Sequence, residues 1–215
     1  MSGFTTLGIC AEINGALKEQ GIIEPTPIQE KTIPIALLGN DVIAQAQTGT
    51  GKTFAFLLPI LQTVDPQQTS IQSLIITPTR ELALQITTEA KKITRFLNNV
   101  HVLAIYGGQD LEKQVRKLTE TVQVVMGTPG RILDHVRRGT IDLSKVSTLV
   151  LDEADQMLQM GFLTEVENII RETASNRQTM LFSATMPPQI RSLATRYMDN
   201  PQDIRIKRKS VVVER

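Results

Sequence analysis

The stretch Ala46-Gln47-Thr48-Gly49-Thr50-Gly51-Lys52-Thr53 decides the fold. It follows an apolar run at residues 42–46 and precedes a helical run at residues 54–61. Strand, glycine-rich turn and helix in that order make a phosphate-binding loop. The common spacing G-x-x-x-x-G-K-[ST] has glycine where this chain has Ala46, so the loop is an A-x-T-G-x-G-K-T variant. The physics survives the change. Gly49 and Gly51 permit positive φ and a close approach of backbone to phosphate. The N–H groups of Gln47, Thr48, Gly49, Thr50 and Gly51, with the helix N-terminus behind them, suit an anion. Lys52 brings charge to the β- and γ-phosphates, and the Thr53 hydroxyl can ligate Mg²⁺.

Such a loop needs a carboxylate at the end of another strand to hold the metal. Thr148-Leu149-Val150-Leu151-Asp152-Glu153 supplies an apolar run that ends in two acids. Asp152 is the candidate for the Mg²⁺ shell, through water. Glu153 is expected to point elsewhere, because neighbouring strand residues face opposite sides. It is the candidate to orient and deprotonate an attacking water. Taken alone, acids after a strand also suit the start of a helix.

Working outward, short apolar runs occur at residues 42–46, 74–77, 102–106, 122–126, 149–151 and 180–182, with a last one at 204–206. Their unbroken Val, Ile and Leu content reads as buried strands. Helical stripes lie between them. Leu82, Ile86, Ala90, Ile93 and Leu97 share one face. So do Phe162, Leu163, Val166 and Ile169, and likewise Ile190, Leu193, Ala194 and Tyr197. Ile9, Ile13 and Leu17 form a stripe that stops before Gly21. Alternation of strand and helix predicts an α/β protein, a mostly parallel sheet with helices on both faces.

Composition excludes several classes. At 215 residues the chain fits one large domain, or one with a small piece. With 23 Lys and Arg against 22 Asp and Glu the formal charge is +1, unlike a histone-like protein. One cysteine, Cys10, allows no internal disulfide and no cysteine-pair zinc site. No apolar run reaches the roughly 18 residues of a membrane span. Nothing reads as a signal peptide, so a soluble protein of a reducing compartment, the cytoplasm, is expected. His135 is expected at the surface and Cys10 buried or half-buried. The tail gathers Arg205, Lys207, Arg208, Lys209 and Arg215 against Glu214. It reads either as a solvated basic tail or as a linker toward something else.

Asp152-Glu153-Ala154-Asp155 spells D-E-A-D. With the loop, it resembles the DEAD-box family of ATP-dependent RNA helicases. Gly21-Ile22-Ile23-Glu24-Pro25-Thr26-Pro27-Ile28-Gln29 resembles the family's Q motif, and Phe4 lies 17 residues before Gly21, where the family has an aromatic. Pro78-Thr79-Arg80-Glu81-Leu82 resembles motif Ia and Gly107-Gly108 the GG element. Thr128-Pro129-Gly130-Arg131 resembles motif Ib and Ser183-Ala184-Thr185 motif III. The resemblance runs in family order to about residue 206.

The resemblance implies a RecA-like P-loop NTPase fold over residues 1–206, with ATP and Mg²⁺ as cofactors. It places Phe4, Pro27 and Gln29 at the adenine. A glutamine amide donates and accepts at once, which suits adenine and not guanine. Phe4 could equally plug the core beneath the first helix, and Gln29 could be a surface residue. Pro78, Arg80, Gly108, Thr128 and Arg131 correspond to contacts with the RNA backbone. Such binding is sequence-independent and salt-sensitive. Arg80 could instead pair with Glu81. Only 4% of residues are aromatic, which argues against base stacking as the binding mode. Asp155, Ser183 and Thr185 correspond to the coupling between nucleotide and RNA, although the two hydroxyls could also be a strand-to-helix cap.

Family members have a second RecA-like domain that carries arginine fingers. That domain is absent from this sequence, and residues 207–215 resemble the start of the interdomain linker. The stretch alone is therefore expected to hydrolyse ATP poorly and to unwind RNA duplexes only when joined to the second domain. A P-loop ATPase acting on DNA or protein and a non-catalytic RNA clamp are the competing readings. The short N-terminus resembles compact bacterial members, which serve ribosome assembly, RNA decay or cold adaptation.

Overall fold

The computed structural model describes residues 3–206, so residues 207–215, read above as a linker, lie outside the described residues. A 3₁₀ turn at Phe4–Leu7 leads into α1 (Ala11–Glu19) and α2 (Pro27–Leu37). Seven strands then alternate with helices: β1 (Val42–Gln45), α3 (Lys52–Thr63), β2 (Ser73–Ile76), α4 (Arg80–Thr94), β3 (Val102–Ile105) and α5 (Leu111–Leu118). They continue as β4 (Val124–Gly127), α6 (Pro129–Arg138), β5 (Thr148–Leu151), α7 (Ala154–Gln159), α8 (Leu163–Glu172), β6 (Gln178–Ser183), α9 (Pro188–Tyr197) and β7 (Gln202–Arg205).

The sheet order is β3-β4-β2-β5-β6-β1-β7. Every pairing is parallel, with registers such as Val42↔Met180, Ser73↔Thr148 and Val102↔Val124. A parallel sheet is stable only when both faces are covered, because its strands are joined by crossovers that lay helices on them. The core accordingly has two layers. Val42, Ala44, Ile75, Val124, Met126, Val150, Met180 and Phe182 pack with buried residues of α1 to α4. Their strand neighbours Leu74, Ile76, Val125, Leu149, Leu151 and Leu181 pack with those of α6 to α9. The period of two along each strand feeds one residue to each layer in turn.

The expected strands all form, shifted by a residue or two at their ends. The last is Gln202–Arg205 rather than 204–206. His135 departs from the expectation: it is fully buried, not a surface residue. Its stripe on α6 carries Ile132 and Leu133 into the core, and the imidazole follows them with hydrogen-bond partners of its own.

α3, the helix of the phosphate loop, is seated by an edge-on aromatic pair. Phe56 meets Phe182 of β6 at 5.2 Å between ring centres, and both are fully buried. Phe182→Ala should lower stability by about 3–5 kcal/mol, transfer and cavity terms together. Urea unfolding with the slope unchanged checks it; a loss below about 1 kcal/mol would mean the pair does not seat the helix.

Candidate functional site

Because the strands are parallel, the loops that follow β1 to β6 all leave from one edge of the sheet. The sequence motifs sit in those loops. The phosphate loop follows β1, Pro78 to Arg80 follow β2, and Gly107-Gly108 follow β3. Thr128 to Arg131 follow β4, Asp152 to Asp155 follow β5, and Ser183 to Thr185 end β6.

A cavity of about 750 Å³ opens at this edge, lined by Thr26, Pro27, Ile28, Lys31, Gln47, Thr48, Gly49, Thr50, Arg205 and Ile206. Pro27 and the loop residues Gln47 to Thr50 therefore share one cavity wall. Thr50 braces the loop by donating its hydroxyl to the Gln47 carbonyl at 2.7 Å. Gly51 takes a left-handed conformation, φ 91°, as the N-cap of α3. A Cβ there would lie 2.6 Å from both Gln29 Nε2 and Thr26 Oγ1, so only glycine fits.

Gln29 is buried behind this wall and is not part of the lining. Its Nε2 donates to the Gly51 carbonyl at 3.0 Å, and its Oε1 accepts from the Thr26 N–H at 2.9 Å. The amide thus ties the start of α2 to the phosphate loop. One N–H and one lone pair remain, a donor and an acceptor. Phe4 is fully buried in the core layer with Ile13 and Leu17. It occupies the core-plug position in this structure. Taking an apolar ring of this size out of water favours the fold.

Lys52 opens α3 and is buried, as is Asp152 beyond β5. Asp152 accepts from the Glu153 N–H at 2.9 Å. Burial pushes its carboxyl up to about 6, aided by the neighbouring charges of Glu153 and Asp155; Lys52 and the Glu153 N–H pull the other way without offsetting it. Glu153 lies past the end of the strand, so strand alternation does not aim it. Its backbone is left-handed, φ 51°, at the N-cap of α7, and this turn separates it from Asp152. Such a conformation in a residue with a Cβ costs about 1 kcal/mol or more and clusters at functional sites. Thr53 and Asp152 are too few to cage a metal by themselves. The pair suits Mg²⁺, which keeps several waters and takes other ligands from phosphates.

Asp155 is buried and joins two motifs. Its Oδ2 accepts from the Thr185 hydroxyl at 2.9 Å and from the Thr185 N–H at 3.1 Å. Its N–H donates to Ser183 Oγ at 3.1 Å. These contacts run from the acid loop to the end of β6, which pairs with β1.

The remaining motif residues gather along the same edge. Pro78 is buried, and Arg80, the first residue of α4, is exposed. The Arg80 guanidinium lies over the Tyr106 ring at 5.1 Å, a cation–π contact rather than the Glu81 pairing considered above. A Cβ on Gly108, φ 82°, would lie 3.6 Å from Arg80 Nη1, so the two loops are neighbours. Thr128 is the N-cap of α6. Arg131 Nη1 donates to the Gln109 carbonyl at 3.1 Å and to Gln114 Oε1 at 3.2 Å.

Several residues of this edge escaped the sequence reading as site residues. Lys31 lines the cavity one helical turn after Pro27, a spacing that could have exposed it. Arg205 lines it as the register partner of Gln45, which only the sheet reveals. Tyr106 and Gln114 support arginines from outside the motifs. Among the described residues no helix is long and apolar enough to cross a membrane.

Asp152 generates a stability prediction. A raised carboxyl pKa favours the fold below the unfolded value near 4, and that advantage disappears as pH rises through about 6. At neutral pH the buried charge costs the ligand-free protein on the order of 3 kcal/mol. Asp152→Asn should therefore melt higher than the wild type at neutral pH. The gap should close toward pH 4, and the variant should lose stabilisation by Mg²⁺ with nucleotide. Melting curves against pH check this; a gap independent of pH would remove burial as its cause.

The sequence model described as DEAD/DEAH box helicase matches residues 26–193. The chain is 51% identical over 211 residues to the ATP-dependent RNA helicase CshA of Listeria monocytogenes, covering 98% of this chain and 40% of that protein. It is 50% identical over 213 residues to the DEAD-box ATP-dependent RNA helicase CshA of Geobacillus kaustophilus, covering 99% of this chain and 45% of that one. The chain thus spans less than half the length of these relatives. Among solved structures, a DEAD box protein from the hyperthermophile Methanococcus jannaschii superposes with a TM-score of 0.92 at 40% identity, covering 96% of this chain and 56% of that one. A hypothetical ATP-dependent RNA helicase from Sulfolobus tokodaii superposes with a TM-score of 0.84 at 38% identity, covering 91% and 56%.

Proposed function

The chain belongs to the DEAD/DEAH box helicase family, and on that premise we propose that it is the ATP-binding and RNA-holding N-terminal part of an ATP-dependent RNA helicase. The observation that supports this reading is one sheet edge that carries both a phosphate cavity and an arginine-bearing face, with Asp155 and Thr185 bonded between them.

In this reading the loop N–H groups and Lys52 hold the phosphates, and Thr53 and Asp152 hold Mg²⁺. Bound Mg²⁺ supplies charge neutralisation for phosphoryl transfer. Asp152, whose carboxyl burial raises to about 6, would have to be ionised to hold the ion. Glu153 orients water and accepts its proton. Gln29 reads adenine with its remaining N–H and lone pair while it holds Gly51. Asp155, Ser183 and Thr185 relay the state of the phosphates to the rest of the edge. Arg80, Gly108, Thr128 and Arg131, with the buried Pro78 shaping the turn beneath Arg80, hold the sugar-phosphate backbone of RNA, without reading bases. A second RecA-like domain is the partner that closes on this edge. The protein acts in the cytoplasm.

Calorimetry with Mg²⁺ and ADP or GDP tests the nucleotide site. The wild type should prefer ADP, and Gln29→Ala should lose that preference while weakening both nucleotides through the released Gly51 carbonyl. Equal binding of ADP and GDP by the wild type would make Gln29 a loop tie only and favour a P-loop ATPase of another class.

ATP turnover tests the need for a partner domain. An arginine supplied from outside is worth about 10³–10⁵ in phosphoryl transfer. The 215-residue chain should therefore turn over ATP slowly, with or without RNA. A steady-state rate of about 1 s⁻¹ or more, ordinary for an enzyme, would overturn this.

A further inference from the structure

One buried side chain connects two of the loops on the arginine-bearing face. Gln114 lies on α5, outside every motif, and is 1% exposed. Its Nε2 donates to the Tyr106 carbonyl at 2.9 Å and to Gln109 Oε1 at 2.8 Å. Its Oε1 accepts from Arg131 Nη1 at 3.2 Å and binds His135 Nε2 at 2.9 Å. A glutamine amide has two N–H groups and two lone pairs, so all four are used.

The bonds have a direction. The Tyr106 carbonyl and the Gln109 side chain lie on either side of Gly107-Gly108, so the glycine pair is anchored at both ends. Arg131 Nη1 adds a bond to the Gln109 carbonyl at 3.1 Å. On the other side, Gln114 Oε1 can only accept, so His135 Nε2 carries a proton toward it, and Nδ1 lies 2.7 Å from the Thr140 hydroxyl, which also reaches the His135 carbonyl at 3.2 Å. Burial holds the imidazole below its usual range, which keeps it in the neutral form. Arg131 uses only Nη1 in these contacts; Nε and Nη2 remain for a phosphate.

Polar groups buried this deeply are costly unless fully satisfied, and two apolar residues would fill the same space with less risk. A satisfied network specifies one geometry, and the geometry here is the separation between Gly108 and Arg131. We propose that Gln114 and His135 are positioning residues for RNA, a buried crosslink that holds the glycine loop and the start of α6 in register for one strand. The proposal rests on the RNA reading of this face.

Anisotropy of a fluorescein-labelled oligouridylate tests it, with the wild type, Arg131→Ala, Gln114→Glu and His135→Phe. Gln114→Glu keeps acceptors for Arg131 and His135 and removes both donors to the glycine loop. His135→Phe occupies similar space without either bond and carries the test if Gln114→Glu does not fold. Each variant should bind the oligonucleotide about three- to tenfold more weakly, the loss of one or two hydrogen bonds. The salt dependence should become shallower by about one phosphate contact. ADP affinity should stay at the wild-type value.

Folded Gln114 and His135 variants that bind the oligonucleotide like the wild type, while Arg131→Ala binds it weakly, would overturn the positioning role alone. Equal losses of ADP and oligonucleotide binding with a lower melting temperature would show a purely structural role and overturn it too. No binding by the wild type, or none that depends on Arg131, would sink the RNA reading of this face and the crosslink with it.

Discussion

Parallel pairing of all seven strands is the constraint on which the rest depends. Parallel strands need crossovers, and each crossover returns the chain to the same starting edge. Every strand therefore ends at the opposite edge, and whatever residues follow it are delivered there. Six loops spread over more than a hundred residues of sequence meet along one rim by this rule. The helices that the crossovers contain cover both faces, which is why the strands can be almost wholly apolar. The fold and the site have the same cause.

That rim holds charge which the fold by itself disfavours. Asp152 is buried without a neutralising partner strong enough to restore an ordinary carboxyl. Lys52 is buried nearby, and the Glu153 backbone takes a conformation costly for its type. Buried charge and backbone strain of this kind disfavour the fold locally and cluster at functional sites. Rigid supports surround the site. Gln29 ties α2 to the phosphate loop, the Phe56–Phe182 pair seats α3, and Asp155 fastens the acid loop to the end of β6.

The arginine-bearing part of the rim is built differently. Here Arg80 is exposed and Arg131 half-buried, while Tyr106 and Gln114 beneath them are buried. Arg80 rests on the Tyr106 ring, and Arg131 rests on Gln109 and Gln114. A long flexible side chain loses rotamer entropy on meeting a phosphate. Holding it in place beforehand reduces that loss, which is the physical sense of a preorganised surface. Tyr106 also precedes the glycine pair, so one short segment supports both arginine loops.

Much of this was legible in the sequence because it is local. The strand-loop-helix order around Lys52, the acid pair after an apolar run and the alternation of buried strands with amphipathic helices are all properties of neighbouring residues. They determined the α/β class, the phosphate loop and the two acids that follow β5; the adenine, RNA and coupling residues were expected only from the resemblance to the DEAD-box family. Tertiary structure decided what proximity alone can decide. Gln29 bonds to a residue 22 positions away, Asp155 to one 30 away, and Gln114 to His135 across 21. His135 and Phe4 were misplaced or left open for the same reason: burial depends on what packs against a side chain, and a single sequence contains no record of that. Arg205 joined the cavity wall only through its register with Gln45. Local pattern specifies which elements form; pairing and packing between distant elements specify which side chains face a ligand and which hold another in place.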